Sequence, residues 1–443
     1  MDAKFAPPLP VHAAWSSGFG RYAGAIESAA GFLGAVVAGL LLMAPLDFEW
    51  TTAGPPVQLD LLILNMPRAA AAGAVLAMVT AALAVVLGRR SAWIAAFGSA
   101  AVLLGDHLWD RDVVTTGTLS TVNYVDSICG GILLGALAVA VSARPAAYTA
   151  FLFGMLSSIL IGDLTALPPD EGVSSLIEWP SSGTPPLGLL VLAVAVLAAG
   201  IALQRQEPAP DDAGADLPIG PIVAALMLVI STAVATQWFV RHADNVVNLA
   251  VAVTVTLVGA LIAVLLLPGR DGVLVLLSVA IANAGSAIIA VPRPDWTAPL
   301  PLAGVAAGLY FGRRRPSIPV ALTGAAALSL FAACTANQAP VGTAVPVIGI
   351  TGLSLLLGYA FGAAVPKNAT GTVLALAVLV VPCVVVALRG NSFGRVAYSP
   401  RWYRDPAAAL SAAPGWTALL ITAACAAGIL LLHRIRSPRP ADN

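Results

Sequence analysis

The sequence predicts an all-α polytopic membrane protein of about fourteen transmembrane helices, arranged as two pseudo-symmetric six-helix bundles with an inserted helix pair. Three observations carry this. Of 443 residues, 59% are apolar and only 10% charged, far outside globular usage. Apolar runs of about 15 to 23 residues recur along the whole chain, and a bilayer core of about 30 Å takes about 20 helical residues to cross. A short basic turn occurs twice, as Gly88-Arg89-Arg90 and as Gly312-Arg313-Arg314-Arg315, each followed by a helix pattern rich in small residues.

The runs centre near Gly34, Val79, Ser99, Leu133, Gly154, Ala195, Val229, Thr256, Ala282, Ala306, Ala327, Leu353, Val378 and Ala424. The first is read as a retained helix, because polar Met1 to Tyr22 precede it and no small-x-small cleavage site with a polar mature start follows. The third and tenth are short, which leaves the count between twelve and fourteen. After the sixth run, Gln204 to Pro218 carries Glu207, Asp211, Asp212 and Asp216 among prolines and small residues, the composition of a flexible linker. The basic turns fall between spans two and three and between spans ten and eleven, so the repeat pairs spans one to six with nine to fourteen. Spans seven and eight are the insertion. The resulting divisions are 1–204 for the N-terminal bundle, 205–217 for a cytoplasmic linker, 218–270 for the inserted pair and 271–443 for the C-terminal bundle. The segments between runs, each at most about 25 residues, are too short for an independent soluble core.

The formal net charge is zero, yet the charges sort by side once the spans are numbered. With a cytoplasmic N terminus, the inner connections hold Lys4, Arg21, Arg89, Arg90, Arg144, Arg205, Arg270, Arg313, Arg314, Arg315, Lys367, Arg434, Arg436 and Arg439. The outer loops collect Asp47, Glu49, Asp60, Asp106, Asp110, Asp112, Asp170, Glu171, Glu178, Asp244 and Asp295. This is the positive-inside bias, with both termini cytoplasmic and an even number of spans. Arginine outnumbers lysine and alanine, glycine and proline are abundant, the usage of a GC-rich bacterium, so the expected location is a bacterial cytoplasmic membrane. Cys129, Cys334, Cys383 and Cys425 all fall inside runs and read as small packing residues.

An arginine-rich turn at matching places in a six-plus-two-plus-six arrangement resembles the fourteen-span branch of the major facilitator superfamily. In that family the turn after span two ends in Gly-Arg-Arg or Gly-Arg-Lys, which Gly88, Arg89 and Arg90 match. The upstream aspartate-arginine pair is missing here, and Gly154 stands alone where the drug/proton antiporters carry a glycine-proline pattern. The resemblance implies alternating access between two bundles, and a conformational latch at the two basic turns.

Charged groups within a bilayer cost about 2.5 to 3.5 kcal/mol on insertion scales, so those present are functional candidates. Asp126, just inside span four with Asn123 and Gly130 on the same face, is the preferred proton-coupling residue. Glu27 shares a helical stripe with Gly24, Gly31 and Gly34, the mark of a tight interior contact; the bland alternative is an interfacial carboxylate paired with Arg21. Asp106, beside His107 at the end of span three, and Asp163 at the end of span five lie at the depth of Asp126. Three carboxylates from consecutive helices would there attract cations and share protons, or simply end their helices at the water interface. Ser157 and Ser158 in span five, with Asn283 and Ser286 at i, i+3 in span nine, sit near the midplane. They are substrate-path candidates, or else ordinary interhelical hydrogen-bonding groups. Arg89, Arg90, Arg313, Arg314 and Arg315 anchor orientation and bind anionic lipid without further chemistry.

The leading expectation is therefore a secondary transporter or exporter of a small amphipathic or lipid-related molecule, with the proton as candidate coupling ion, and not an enzyme. Two other classes stay open. Asp47-Phe48-Glu49 follows span one, and paired acids in the first external loop serve as general base in glycosyltransferases that use polyprenyl-phosphate sugars; Arg389 to Arg404, with Tyr398, Trp402 and Tyr403, would hold the lipid phosphate. Sparse intramembrane charge also fits a non-transporting scaffold with envelope-assembly partners. Four scattered histidines, no Cys-x-x-Cys and no phosphate-cradling loop give no catalytic residue, no metal, no cofactor and no nucleic-acid partner to name. The expected partners are membrane lipids and the small substrate.

Overall fold

The computed structural model describes residues 12–43, 56–109, 116–162, 185–204, 217–242, 245–268, 271–288, 297, 299–336, 344–364, 368–389 and 411–436. Among these residues there is no strand, and every apolar run is helical. The helices are α1 (His12–Met43), α2 (Pro56–Leu87), α3 (Arg89–Trp109), α4 (Thr116–Ala140), α5 (Pro145–Gly162), α6 (Leu187–Gln204), α7 (Ile219–Arg241) and α8 (Val246–Leu266). They continue with α9 (Asp271–Ala287), α10 (Pro299–Arg314), α11 (Ile318–Thr335), α12 (Ala344–Ala363), α13 (Ala369–Val380), α14 (Val384–Arg389) and α15 (Ala413–Arg436).

Eight segments among the described residues are long and apolar enough to cross a membrane, and five shorter apolar helices accompany them. The outward faces agree with a lipid surround. On α8, Val247, Val251, Val255, Val258, Ile262 and Leu265 are exposed at helical spacing, while Ala252, Thr256, Gly259, Ala260 and Ala263 are buried. A continuous apolar stripe of this length facing outward suits acyl chains and would be a liability in water.

Three expectations need correction. Span three is not short: Arg89 and Arg90 begin the helix and Asp106 and His107 extend it, giving 21 residues. Span thirteen is not continuous. Pro382 lacks an N–H and pushes the preceding residue to extended backbone, so α13 stops at Val380, Val381 takes φ −83 and ψ 128, and α14 resumes at Val384. A freed carbonyl at the break finds a donor, since Thr236 Oγ1 of α7 lies 3.2 Å from Pro382 O. The two basic turns also differ. Gly88 carries φ 88 between α2 and α3, a conformation open to glycine and poor for other residues. Gly312 instead lies inside α10, where an added Cβ would meet Tyr359 O and Ala363 N of α12.

Glycine sets the closest approaches. Between α2 and α4, a Cβ on Gly73 would strike Ser127 O, one on Gly131 would strike Gly73 O, and one on Gly135 would strike Ala77 O. Between α10 and α12 the same relation holds at Gly308, Gly358 and Gly362. Where lipid tails are as apolar as the helices, association rests on van der Waals contact and so on small residues. These are the tightest helix pairs, together with α1 and α5. Further in, α9 and α13 are buried over most of their lengths.

Candidate functional site

Helix α3 carries a charged group at each end, about 27 Å apart at helical rise. Its first residue, Arg89, is placed by Gly88, whose left-handed backbone lets α3 start directly after α2. Arg89 turns inward: Nη2 lies 2.7 Å from Glu27 Oε2, and Nε donates to Ala140 O at 2.7 Å. Arg144, between α4 and α5, brings Nε to 3.0 Å from the same Glu27 oxygen. Glu27 is 1% exposed, its helix held against α4 and α5 by Gly31 over Ala147 O and Gly34 over Leu137. One buried carboxylate thus joins α1, α3 and the α4–α5 connection through charge-assisted bonds. Glu27 pairs with Arg89 and Arg144; the side chain of Arg21 lies outside the described residues. Arg90 points away from this junction and is exposed.

The contacts continue along the same end. Tyr148 of α5 shares a hydrogen bond with Thr372 of α13, and Arg313 of α10 donates to Thr149 Oγ1 of α5. Asp271, the 2%-exposed first residue of α9, sits against Gly371 of α13, and both it and Arg313 reach Tyr148 electrostatically. Arg314 lies 4.5 Å over the Tyr310 ring, and Tyr359 donates to Arg315 O at 2.7 Å. The arginines expected merely to anchor orientation therefore include two, Arg89 and Arg313, that tie helices together. Asp271, Tyr148 and Thr372 were missed in sequence. The available signal was an acid in the first turn of the first helix after the insertion.

At the other end of α3 the chemistry inverts. One ligand-type atom each from Asp106, His107 and Asp126 lies within 4.8 Å of the other two. His107 Nδ1 donates to Leu103 O at 2.9 Å, so in the neutral ring Nε2 is the nitrogen with the lone pair. That Nε2 and Asp126 Oδ1 are both buried, with no hydrogen-bond partner among the described residues. Asp126 is 6% exposed, held on α4 where Gly130 and Gly131 bring that helix against α1 and α2. Asp163 and the side chain of Asn123 lie outside the described residues.

The midplane candidates divide. Ser286 hydrogen-bonds the Cys383 thiol at the α13–α14 break, a satisfied interhelical contact, and Ser158 Oγ donates to Met155 O within its own helix. Asn283 Nδ2 donates to Val279 O at 2.8 Å, but its Oδ1, like Ser157 Oγ and Ser278 Oγ, is buried with no partner among the described residues. Asp47, Glu49, Tyr398, Trp402 and Tyr403 of the glycosyltransferase alternative lie outside the described residues.

Compared with known proteins, the chain matches no family model and no curated protein sequence.

Proposed function

We propose that this chain is a secondary transporter of a small amphipathic or lipid-related molecule, working by alternating access between two six-helix bundles in a fourteen-span layout like that of the major facilitator superfamily. One observation carries the reading: the helix pairings recur at an offset of eight. Packing of α1 on α5, α2 on α4, α3 on α6 and α1 on α6 is matched by α9 on α13, α10 on α12, α11 on α15 and α9 on α15, with α13 and α14 counted as one broken span. Contacts between the halves obey the same rule, since α2 meets α13 and α5 meets α10. Two related bundles meeting through a few helices can rock about a central path, and pseudo-symmetry of this kind is the usual frame of transporters.

In this reading the basic turns face the cytosol, and the bonds Tyr148–Thr372 and Arg313–Thr149 hold the bundles together on that side. Asn283 and Ser157 offer unsatisfied polar atoms from opposite bundles toward a substrate. Asp126 loads and releases the coupling proton, with Glu27 set aside as a structural carboxylate. The test is flux in proteoliposomes under an imposed pH gradient, with wild-type protein and Asp126→Asn. Gradient-driven flux in the wild type that loses its pH dependence in Asp126→Asn is expected. No flux for any candidate substrate, together with sugar transfer from a polyprenyl donor abolished in Asp47→Ala, would replace transport by the enzyme reading. Sidedness is checked by labelling Ser91→Cys and Leu108→Cys in intact cells, where only the second should react from outside.

A further inference from the structure

We infer that Asp106, His107 and Asp126 form a binding site for a divalent transition-metal cation of the Zn²⁺ class. The donor set is the first argument. Two carboxylates and a neutral imidazole supply two negative charges, so a divalent ion leaves the assembly neutral within a largely apolar bundle. The imidazole favours zinc-like ions over magnesium or calcium, which prefer oxygen alone.

Orientation is the second argument. The Nδ1 hydrogen bond from His107 to Leu103 O leaves Nε2 as the ligand nitrogen of the neutral ring, as backbone carbonyls do for metal-bound histidines. Both that nitrogen and Asp126 Oδ1 are buried and lack a hydrogen-bond partner among the described residues. A buried carboxylate oxygen with nothing to accept from costs free energy that a bound cation would recover. Geometry is the third. Three atoms no more than 4.8 Å apart lie within roughly 3 Å of a common centre, so side-chain movements of roughly 1 Å reach the 2.0 to 2.2 Å of zinc–nitrogen and zinc–oxygen bonds. Three protein ligands leave a fourth position for water or an arriving group, the pattern of an exchangeable site rather than a closed structural one.

The ion needs Asp126 ionised, so cation and proton compete for one carboxylate. Binding itself does not depend on the transport reading, because it can be measured without flux. The full chain, with its affinity tag cleaved and after EDTA treatment, is titrated in detergent with Co²⁺ and then Zn²⁺. The expected result is one equivalent of Co²⁺ with the visible absorption of a four- or five-coordinate ion, bleached by Zn²⁺. Asp126→Asn and His107→Ala should each weaken Zn²⁺ binding about tenfold or more, while His242→Ala, at a histidine outside the cluster, leaves it unchanged. The wild-type spectrum needs no variant to fold. Absence of that absorption, or equal binding in wild type, Asp126→Asn and His107→Ala, overturns the site.

Discussion

The two ends of α3 hold almost the same number of ionisable groups and treat them in opposite ways. At Arg89 a fully buried glutamate meets two arginines, and both of these contacts are charge-assisted. At His107 two carboxylates and an imidazole come together, and the acid buried most deeply has an oxygen that accepts no hydrogen bond among the described residues. The lesson is one of task. In the proposed reading, charges that hold helices together are paired within the protein, whereas a site that loads and releases something keeps donors uncommitted, at a standing cost in stability.

That contrast can be broken first by mutation of the two acids. Glu27→Gln takes the carboxylate charge away from Arg89 and Arg144, which are only partly exposed, and breaking a buried pair from one side should destabilise by about 3 kcal/mol. Asp126→Asn, measured with chelator present, should be neutral or slightly stabilising, because a buried carboxylate with an oxygen that lacks a hydrogen-bond partner among the described residues is replaced by an uncharged amide of the same shape. Thermal unfolding in detergent, followed by intrinsic tryptophan fluorescence, checks both. Equal losses for the two variants would erase the distinction.

A smaller effect sharpens the difference between the copies of the basic turn. Gly312→Ala forces a methyl into the α12 backbone and should cost about 2 kcal/mol by overpacking. Gly88→Ala meets nothing within 4 Å, so only its left-handed backbone opposes the change, at about 1 kcal/mol. The order should invert if Gly312 were the residue that makes the turn. The smallest expected change is Tyr148→Phe. It removes the hydrogen bond to Thr372 at a cost of about 0.6 kcal/mol.

Much of the architecture was legible in the chain. Helices follow from the runs because an unpaired backbone group in hydrocarbon is prohibitively costly, so a long apolar segment has few alternatives to helix. The interior position of Glu27 followed from local spacing, as Gly24, Gly31 and Gly34 put it on the face that glycine opens to a neighbour. Local patterns could not tell that Gly312 lies within a helix while Gly88 makes a turn, since the Gly-Arg-Arg string is the same in both. The break at Pro382 was visible as a proline within a run, but its tolerance depends on Thr236, 146 residues away.

Sequence by itself therefore determined which segments are helical, which faces are apolar and where charge is scarce, because those depend on composition and on the 3.6-residue period alone. Tertiary structure decided which charges meet. The pairing of Arg89 and Arg144 with Glu27, the reach of Arg313 to Thr149, and the convergence of Asp106 and His107 with Asp126 all join residues from different parts of the bundle. A side-chain bond is a few ångströms long and a helix about 30 Å. Partners are therefore set by how helices lie beside one another, which no stretch of one helix records.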